Sequence, residues 1–495
     1  VPQWKPEMIN NAFEQDDLYV EMTFLRTLQQ YGFDVSNRQA GIDFANTLYP
    51  LWHANDAGRI NLRQGIAPPD SGHPKYNLHA DDIDYQIEAD FSGLIAPGMP
   101  NVAIEMGEKF GRLMNYGDGL YGGQFVGGMY AEAFFEDDRL KIVAAGLACI
   151  PAESQFAECI RDTVRWWKES PDDWKKTWQR IEDKYQRNPD YRKFSCQGPN
   201  TAFNIDAKIN AAYIVMGLLY GDGQLDETIV ISMRCGQDSD CNPANAGGVL
   251  ATTIGKARLP SAYVDALNPE GVFSHTAYSF PALVKVCEKL TRQAVVKHGG
   301  RIETTADGEV FVIPVKKPKP SPLEQCWEPG PVANSKFTEE EMDKISVPGG
   351  DKQLQAHLEK VAPGWQLANC GPDMQPGLRS QYRGKSPVFM THPLNQEVGC
   401  SLKRSIDVPS GTTTTLVLTV ANDDRGDFCL IVKVDGKTQL EQPIGPDAIR
   451  EGWANIDVDL TPVAGRTVNV ELINQANGWS WEAAYWAKIA VTSGQ

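Results

Sequence analysis

The spacing of apolar residues changes once along this chain, and the change separates two kinds of structure. From residue 10 to about residue 306 the apolar positions recur at helical spacing, as in DDLYVEMTFLRTLQQYG, where Leu18, Met22 and Leu25 share one face. Beyond residue 364, segments such as TTTTLVLTV and RTVNVELIN alternate apolar and polar residues, which is the pattern of half-buried strands. The sequence therefore predicts a multidomain α and β protein, with an all-α domain followed by an antiparallel β-sandwich.

A proline-rich segment lies between the two patterns. Six prolines fall between Pro314 and Pro331, a density typical of a stiff connector. We therefore predict a helical domain over residues 1–313, a linker over 314–331 and a β-sandwich over 332–495. A chain of 495 residues also supports more than one domain, because single cores rarely grow beyond about 250–300 residues.

The composition argues against several classes of partner. A net charge of -17 disfavours nucleic acid or an anionic membrane as the main partner, because both attract clustered Lys and Arg. The most apolar segment, 209–220, is shorter than the roughly 18 residues that suggest a membrane-spanning helix. The ten cysteines include no C-x-x-C pair, which removes the usual structural zinc patterns and leaves disulfides open. The chain begins at Val1 without a basic and apolar leader, so we expect a processed or trimmed form.

Two pairs of carboxylates lie where the sequence predicts the start of a helix. Asp16 and Asp17 open the first amphipathic helix, and Asp238 and Asp240 directly precede a run of small residues that begins with Asn-Pro. Either pair alone is explained by helix capping, because the positive end of a helix favours carboxylates. Two such pairs on rigid supports are more typical of a site for a hard divalent cation, which takes oxygen ligands.

Both motifs resemble those of a known family. QDDLYVEMTFLRTL is similar to the early Thr-Asp-Asp-Thr motif of the ADP-ribosylglycohydrolases. CGQDSDCNPANAGGVLATTIG is similar to their late signature, in which Gly-Gly-Asp-Thr-Asp-Thr precedes an Ala- and Gly-rich helix. The resemblance covers roughly residues 10–260. It implies an all-α catalytic domain that holds one or two Mg²⁺ ions, with Ca²⁺ or Mn²⁺ as alternatives, and that hydrolyses an N- or O-glycosidic bond.

The chain departs from the family pattern in its threonines and at its start. Gln15, Leu18 and Cys241 stand where the family has threonines that help to hold the metal. Gln15 can still offer a carbonyl oxygen, but a leucine offers no ligand atom and sulfur is a poor ligand for magnesium. The family's opening glycine-rich helix and its acidic loop have no room before Asp16. We therefore expect either a trimmed chain or a catalytic element supplied in another way. The metal ligands that the resemblance implies are Gln15, Asp16, Asp17, Asp238 and Asp240, and Asp17 is also expected to act in catalysis.

A long loop-rich stretch between residues 53 and 123 holds the other polar candidates. Loops of this length in a compact domain usually carry function. We predict that Asp81 and Asp82 act as general acid or base in cleaving the glycosidic bond, which passes through an oxocarbenium-like state. Any one of these side chains is also explained as an ordinary hydrogen-bonded loop residue. The predicted substrate-binding residues are His53, Asn55, Asp56, His79, Asp118, Gly119 and Tyr121.

Three tryptophans stand close together in the C-terminal segment NGWSWEAAYW: Trp479, Trp481 and Trp486. Aromatic side chains of this kind either stack on sugar rings or fill the core of a sandwich. The segment resembles galactose-binding-like sandwiches attached to secreted carbohydrate enzymes, and both interpretations stay open from the sequence.

These features predict a metal-dependent hydrolase that cleaves a glycosidic bond of a glycan or small glycoside, exported by a bacterium to the periplasm or the medium. One alternative is an ADP-ribosyl hydrolase that acts on ADP-ribosylated proteins or ADP-ribose derivatives. Another is a carbohydrate-binding protein without catalysis. The acidic loops favour a neutral sugar, because a pyrophosphate beside many carboxylates is repelled unless metal ions screen it.

Overall fold

The computed structural model divides into two compact units, Val1–Ile345 and Ser346–Gln495. The first is helical and the second is built from antiparallel strands, which confirms the predicted combination of an all-α domain and a β-sandwich. The boundary lies further along the chain than the predicted linker. The described residues are 15–194, 205–265, 268–306, 308–345 and 351–494.

The first unit contains sixteen helices and one hairpin in its described residues. None of the helices in the described ranges is long and apolar enough to cross a membrane. The helices are α1 Asp16–Tyr31, α2 Asn37–Ala45, α3 His53–Arg63, α4 Asp84–Ile87, α5 Asp90–Leu94, α6 Pro100–Lys109, α7 Asp118–Ala133, α8 Arg139–Ala148, α9 Gln155–Glu169, α10 Trp174–Ile181, α11 Ala207–Tyr220, α12 Leu225–Arg234, α13 Cys241–Ile254, α14 Ser261–Val264, α15 Phe280–Lys297 and α16 Glu339–Met342. The hairpin pairs β1 Arg301–Thr305 with β2 Gly308–Val312.

Helix α11 forms the centre of this unit. All of its side chains except that of the final Tyr220 are buried, as its almost wholly apolar sequence indicates. It packs against α7, α9, α12 and α13. The side chain of Asp206 caps its start by accepting hydrogen bonds from the N–H groups of Lys208 and Ile209. Gly217 allows α12 to approach closely, because a Cβ at this position would lie 2.8 Å from the carbonyl oxygen of Thr228. The central helix is therefore a rigid support for the loops around it.

The proline-rich segment packs on the helical unit instead of connecting two domains freely. The hydroxyl of Tyr121 on α7 donates a hydrogen bond to the carbonyl oxygen of Pro322 at 2.9 Å and accepts one from the N–H of Glu324 at 2.7 Å. Arg112 is buried between two carboxylates, at 3.0 Å from Glu108 and 2.6 Å from Glu324. Helical side chains thus satisfy the polar groups of a segment whose prolines prevent it from forming a strand ladder of its own.

The residues after the predicted linker continue along the same unit. The buried carboxylate of Asp70 accepts hydrogen bonds from the N–H groups of Ala333 and Ser335, at 2.9 and 2.8 Å. Arg38 forms an ion pair with Glu341. The segment predicted as a linker and the first residues predicted as sandwich therefore belong to the helical unit, because buried side chains far away in sequence pair with their backbone.

The second unit is a sandwich of two five-stranded antiparallel sheets. Their strand orders are β10-β7-β12-β5-β4 and β3-β6-β11-β8-β9. Burial alternates along the strands; in β8, for example, every second residue is buried. Trp365 and Trp486 are among the largest buried side chains. The elements are α17 Asp351–Glu359, β3 Gln366–Ala368, β4 Gly377–Arg379, β5 Val388–Thr391, β6 Cys400–Asp407, β7 Thr413–Asn422, β8 Phe428–Val434, β9 Lys437–Ile444, β10 Ala454–Asp459, β11 Thr467–Gln475 and β12 Ala484–Gly494.

Candidate active site

The N-terminal ends of α1 and α13 bring the two predicted acidic pairs together. Burial raises the pKa of Asp16 and of Asp17, the latter to about 6, and the nearby carboxylate of Asp240 raises both further. Burial also raises the pKa of Asp238 to about 7, with its hydrogen bond to Asp240 as the next cause. Four carboxylates from two distant parts of the sequence therefore share one site.

Helix capping explains only part of this cluster. Asp238 accepts a hydrogen bond from the N–H of Cys241 at 3.2 Å and so caps α13 with one oxygen. Neither Asp240 before α13 nor Gln15 before α1 makes a side-chain cap bond. Asn210 of the central helix α11 holds the loop in place, because its side-chain oxygen accepts the N–H of Asp238 at 3.2 Å. The loop is thus fixed from the centre of the unit, and capping leaves carboxylate oxygens available to a ligand.

The cluster has no basic counter-charge within the described residues. None of the ion pairs found there involves Asp16, Asp17, Asp238 or Asp240. Carboxylates in such proximity repel one another when ionised, and a cation relieves the repulsion. Oxygen donors on stiff supports without a lysine or arginine partner fit one or two hard divalent cations.

Two further carboxylates join the cluster from α4 and the residue that follows it. Asp84 and Glu88 are buried, and burial raises the pKa of both well above the usual range. Asp16 and Asp238 lie near enough to Asp84 to raise its pKa further, and the neighbours that act on Glu88 include Asp84 and Asp16. Asn55 orients both carboxylates: its backbone N–H donates to Asp84 at 2.5 Å and its side chain donates to Glu88. The sequence predicted an acidic loop here but assigned neither residue a role.

The two aspartates that were predicted as general acid and base point to different surroundings. Asp82 is fully buried, and its carboxylate accepts hydrogen bonds from the N–H groups of Ala54 at 3.1 Å and Asp84 at 3.2 Å. Asp81 lies instead in a buried group of charged side chains. Burial is the largest cause of its raised pKa; Asp206 raises the pKa further, and Lys208 lowers it. The two carboxylates are thus held by different neighbours, and Asp82 is the one that lies beside Asp84 of the acidic cluster.

The predicted substrate-binding residues on α7 make packing contacts within the helical unit and do not lie at the acidic cluster. Asp118 is buried and accepts a hydrogen bond from the N–H of Phe156 at 3.3 Å. Gly119 is enclosed so tightly that a Cβ would lie 2.4 Å from the carbonyl oxygen of Ala80. Tyr121 is fully buried and holds the proline-rich segment through its hydroxyl. The small residue at the start of α7 therefore serves the close packing of a helix.

Substitution of Asp118 by asparagine is expected to stabilise the helical unit at pH 8 but not at pH 4. Burial raises the pKa of this carboxyl from 3.8 to about 6, while Lys208 opposes the shift. Between these pH values the folded chain keeps a proton that the unfolded chain has released, so stability falls as the pH rises from about 4 to about 6 and stays lower above it. The neutral amide avoids this loss, which corresponds to at most about 3 kcal/mol.

Calorimetric melting from pH 4 to pH 8 measures the effect as the difference in the melting temperature of the helical unit between variant and parent. The matched control is Asp137→Asn, which changes an exposed carboxylate of the same unit and is expected to give a flat difference. If the Asp118→Asn curve runs parallel to the parent curve, the raised pKa is contradicted.

The predicted histidines border the acidic cluster. His53 begins α3, and its ring nitrogen and carboxylate oxygens of Asp82 and Asp84 all lie within 4.8 Å of one another. His79 places Nδ1 at 3.7 Å from Oδ2 of Asp82, and burial lowers its pKa to about 4. Asp56 lies at the rim, where it forms an ion pair with Arg59 at 3.3 Å. With Asn55, these residues form one wall of the site.

A buried carboxyl pair next to Asp17 was missed in the sequence. Glu21 follows one helical turn after Asp17 on α1 and accepts a hydrogen bond from the N–H of Phe91 at 2.5 Å. Asp90 accepts hydrogen bonds from the hydroxyl of Tyr130 at 2.8 Å and the side chain of Asn245 at 2.7 Å. Burial raises the pKa of Asp90 to about 7 and that of Glu21 well above its usual range. The four-residue spacing between Asp17 and Glu21 was the available sequence signal.

Comparison with known proteins gave a family match for the first unit. A family model described as ADP-ribosylglycohydrolase matches residues 6–298. The comparison with curated proteins gave no match.

Solved structures matched only part of the chain. A family 35 carbohydrate-binding module from Paenibacillus barcinonensis is 15% identical, covering 27% of this chain and 96% of its own, with a TM-score of 0.20. The native structure of a family 35 module from Clostridium thermocellum is also 15% identical, covering 25% of this chain and 92% of its own, with a TM-score of 0.17. A cyclase from Fischerella sp. TAU is 12% identical, covering 26% and 74%, with a TM-score of 0.19. Scores this low carry no argument about ligands.

Proposed function

Because this chain belongs to the ADP-ribosylglycohydrolase family, a family of hydrolases, we propose that it is a divalent-metal-dependent hydrolase that cleaves the glycosidic bond of a glycan or small glycoside. The observation that supports this proposal most strongly is a cluster of six carboxylates, from three separate parts of the sequence, without an ion-paired lysine or arginine in the described residues. The six are Asp16, Asp17, Asp84, Glu88, Asp238 and Asp240.

The donor set fits a hard cation such as Mg²⁺. Asp16, Asp17, Asp238 and Asp240 would hold it, because carboxylate oxygens on stiff loops are its preferred protein ligands. Cys241 lies beside them, but burial raises the pKa of its thiol, and a neutral thiol is a poor ligand for a hard ion. A buried oxygen of Glu88 that lacks a hydrogen-bond partner among the described residues also supports a ligand in the cluster. When bound, such an ion orients sugar hydroxyls and lowers the pKa of a water molecule.

Glu88 is the best candidate for handling the proton, in place of Asp81, and Asp84 lies beside it. Burial raises the pKa of Glu88 well above the usual range, which favours a protonated carboxyl as donor to the oxygen of the leaving group. Asn55 fixes their orientation through its two hydrogen bonds.

The two arginines of the predicted cleft loops support a neutral sugar as substrate; the third cation there, Lys75, is exposed and lies over the ring of Tyr76. Arg59 donates to the carbonyl oxygen of Tyr49 at 2.7 Å and pairs with Asp56. Arg63 donates to two backbone carbonyl oxygens, those of residues 45 and 47, at 2.9 and 2.7 Å. Both guanidinium groups therefore serve the fold, and a pyrophosphate would meet the carboxylates without them. Neutral hydroxyls, by contrast, bond well to carboxylates and amides.

A substrate screen tests this proposal. The purified protein is assayed with a panel of aryl glycosides and with ADP-ribosylated peptide, each with Mg²⁺ and with chelator, and free ADP-ribose is added as competitor. We expect turnover of a glycoside that requires the metal ion and is insensitive to ADP-ribose. Cleavage of the ADP-ribosyl bond, or micromolar inhibition by ADP-ribose, would favour the alternative substrate. Absence of turnover on every compound would favour a binding protein.

Two exposed tryptophans support carbohydrate binding by the sandwich as a second function. Trp479 and Trp481 are 39% and 42% exposed, whereas Trp486 lies in the core and donates a hydrogen bond to Thr391 at 3.0 Å. The sequence left stacking and core filling open for all three, and the structure divides them. Exposed aromatic faces are the usual contacts for sugar rings.

The loop that carries the exposed pair is well supported. Buried Glu482 accepts hydrogen bonds from the N–H groups of Asn477 and Gly478, both at 2.9 Å. The guanidinium of Arg425 lies 3.5 Å from the ring centre of Trp481, so it covers one face of this indole and leaves the other open. Within the described part of the chain no lysine or arginine stacks on the ring of Trp479, so this indole is the better candidate platform.

Substitution of Trp479 by alanine is expected to weaken binding to polysaccharide about fivefold to tenfold, because an aromatic stacking contact contributes about 1 kcal/mol or somewhat more. Affinity electrophoresis of the whole chain in gels with different soluble polysaccharides measures the effect. Trp52→Ala is the control, since Trp52 is also an exposed tryptophan, at 48%, but lies in the helical unit. Equal retardation of the Trp479→Ala variant and the parent in every gel would contradict binding at this loop.

A further inference from the structure

Two histidines meet Asp82 and Asp84 at the edge of the acidic cluster, in an arrangement whose nitrogen donors the proposed hydrolysis does not require. A ring nitrogen of His53 and carboxylate oxygens of Asp82 and Asp84 all lie within 4.8 Å of one another. Nδ1 of His79 lies 3.7 Å from Oδ2 of Asp82, and the two imidazole rings are 5.4 Å apart between centres. One nitrogen donor and two oxygen donors therefore lie close together, and a second nitrogen donor, that of His79, adjoins them through Asp82.

The carboxylates of this group are held in fixed positions. Asp82 accepts hydrogen bonds from the backbone N–H groups of Ala54 and Asp84, at 3.1 and 3.2 Å. The side-chain amide of Asn115 also donates to Oδ1 of Asp82, at 3.4 Å. Both aspartates are buried, and within the described residues neither forms an ion pair with a lysine or arginine. Two immobilised carboxylates without a basic partner favour a bound cation.

The histidine nitrogen that faces this group lacks a hydrogen bond. Nδ1 of His79 is buried and has no hydrogen-bond partner among the described residues. A buried polar atom without a partner is uncommon in a folded protein and calls for an explanation such as an ion or a water molecule. Its nearest charged neighbour is the carboxylate of Asp82, which makes a cation between the two the simplest explanation.

We propose that His53, His79, Asp82 and Asp84 form a second cation site, which takes a divalent transition metal of the zinc class. Imidazole nitrogen is a preferred ligand of such metals and a poor one for magnesium. Ligand atoms at about 2.0–2.2 Å from zinc lie roughly 3–4 Å apart. The 3.7 Å between His79 and Asp82 already falls in this range, and His53, Asp82 and Asp84 approach it at no more than 4.8 Å. The site is distinct from the oxygen-only cluster by its nitrogen donors, although Asp84 lies near enough to Asp16 and Asp238 to adjoin it.

Cobalt(II) binding at pH 7.5 tests the site, because its spectra report nitrogen ligation. Tag-free protein is first saturated with Mg²⁺ to fill the oxygen cluster and is then titrated with Co²⁺. We expect one tightly bound Co²⁺ per chain and two exchangeable, paramagnetically shifted imidazole N–H resonances. His53→Ala and His79→Ala are each expected to remove one resonance and to weaken Co²⁺ binding at least about tenfold. Both side chains are partly exposed, so neither variant opens a cavity in the core.

Two further variants separate this site from the proposed hydrolytic centre. Asp238→Asn is expected to leave both imidazole resonances in place, and His298→Ala, a change far along the chain on the end of α15, is expected to leave Co²⁺ binding unchanged. Co²⁺ bound without shifted imidazole resonances, or bound equally by the His53→Ala variant, would overturn the second site. Loss of both resonances in Asp238→Asn would also overturn it, because the ion would then belong to the oxygen cluster. Failure of the glycoside screen with these signals intact would concern the proposed function alone.

Discussion

Replacement of Asp238 by asparagine is expected to weaken binding of Mg²⁺ and Mn²⁺ more than about a hundredfold and to lower kcat/KM by a similar factor. Loss of residues that merely orient metal ligands costs about tenfold to a hundredfold, and removal of a ligand charge costs more. The amide can still accept the N–H of Cys241, so the start of α13 is preserved. Isothermal calorimetry measures the metal affinity, and turnover of the glycoside identified by the screen measures the rate.

Asp16→Asn is the second variant, because Asp16 belongs to the same cluster but lies far from Asp238 in the sequence. It is expected to show the same two losses, and both proteins are expected to keep the helical content of the parent by circular dichroism. Asp137→Asn, an exposed carboxylate outside the cluster, is the matched control and is expected to stay within about twofold of the parent. Unchanged metal binding in both cluster variants would place the cation elsewhere and contradict the site.

The second large effect is expected from the position at which the helical unit is truncated. A fragment of residues 1–345 is expected to melt cooperatively, whereas a fragment of residues 1–313 is expected to lose most of its stability. Truncation at 313 leaves the buried hydroxyl of Tyr121 and the buried carboxylate of Asp70 without their backbone partners and removes one of the two carboxylates around Arg112. Each such group costs about 1–3 kcal/mol, against a total stability of about 5–15 kcal/mol.

Thermal melting followed by circular dichroism and limited proteolysis measure the difference between the two fragments. Tyr121→Phe in the longer fragment serves as a graded control, since it removes two hydrogen bonds at almost constant volume and is expected to cost about 1–3 kcal/mol. If residues 1–313 melt cooperatively within a few degrees of residues 1–345, the segment is a connector after all, as its composition alone indicates.

The fold class and the two acidic pairs could be predicted because the signals for both are local. Helical spacing, strand alternation and a carboxylate at a helix start are each visible within about ten residues, and the positions of Asp16 and Asp238 follow from them. The assignment of the loop acids could not be predicted in this way. Asp81 and Asp82 are adjacent in sequence, yet one faces Lys208 and the other faces the histidines, and only the packing around them decides which.

The proline-rich segment shows a second limit of local patterns. Its prolines set a stiff, extended backbone whether the segment is free or packed, so composition alone cannot separate a connector from a surface strap. The difference depends on Tyr121, Arg112 and Asp70, which precede their partners by 201, 212 and 263 residues. The sequence around each of them gives no sign of these partners. In the sandwich, likewise, spacing could not divide the exposed Trp479 from the buried Trp486.

The packing of this segment also has a consequence for how the protein emerges from the ribosome. Tyr121 and its partner Pro322 are 201 residues apart. At a synthesis rate of about 5–20 residues per second, the partner follows roughly 10–40 s after the tyrosine. During that interval the nascent helical unit exposes polar groups and apolar surface that the finished protein covers. The interval is long enough for chaperones to bind. Synonymous codons that change translation speed between residues 121 and 322 would therefore alter the yield of folded protein without altering its sequence.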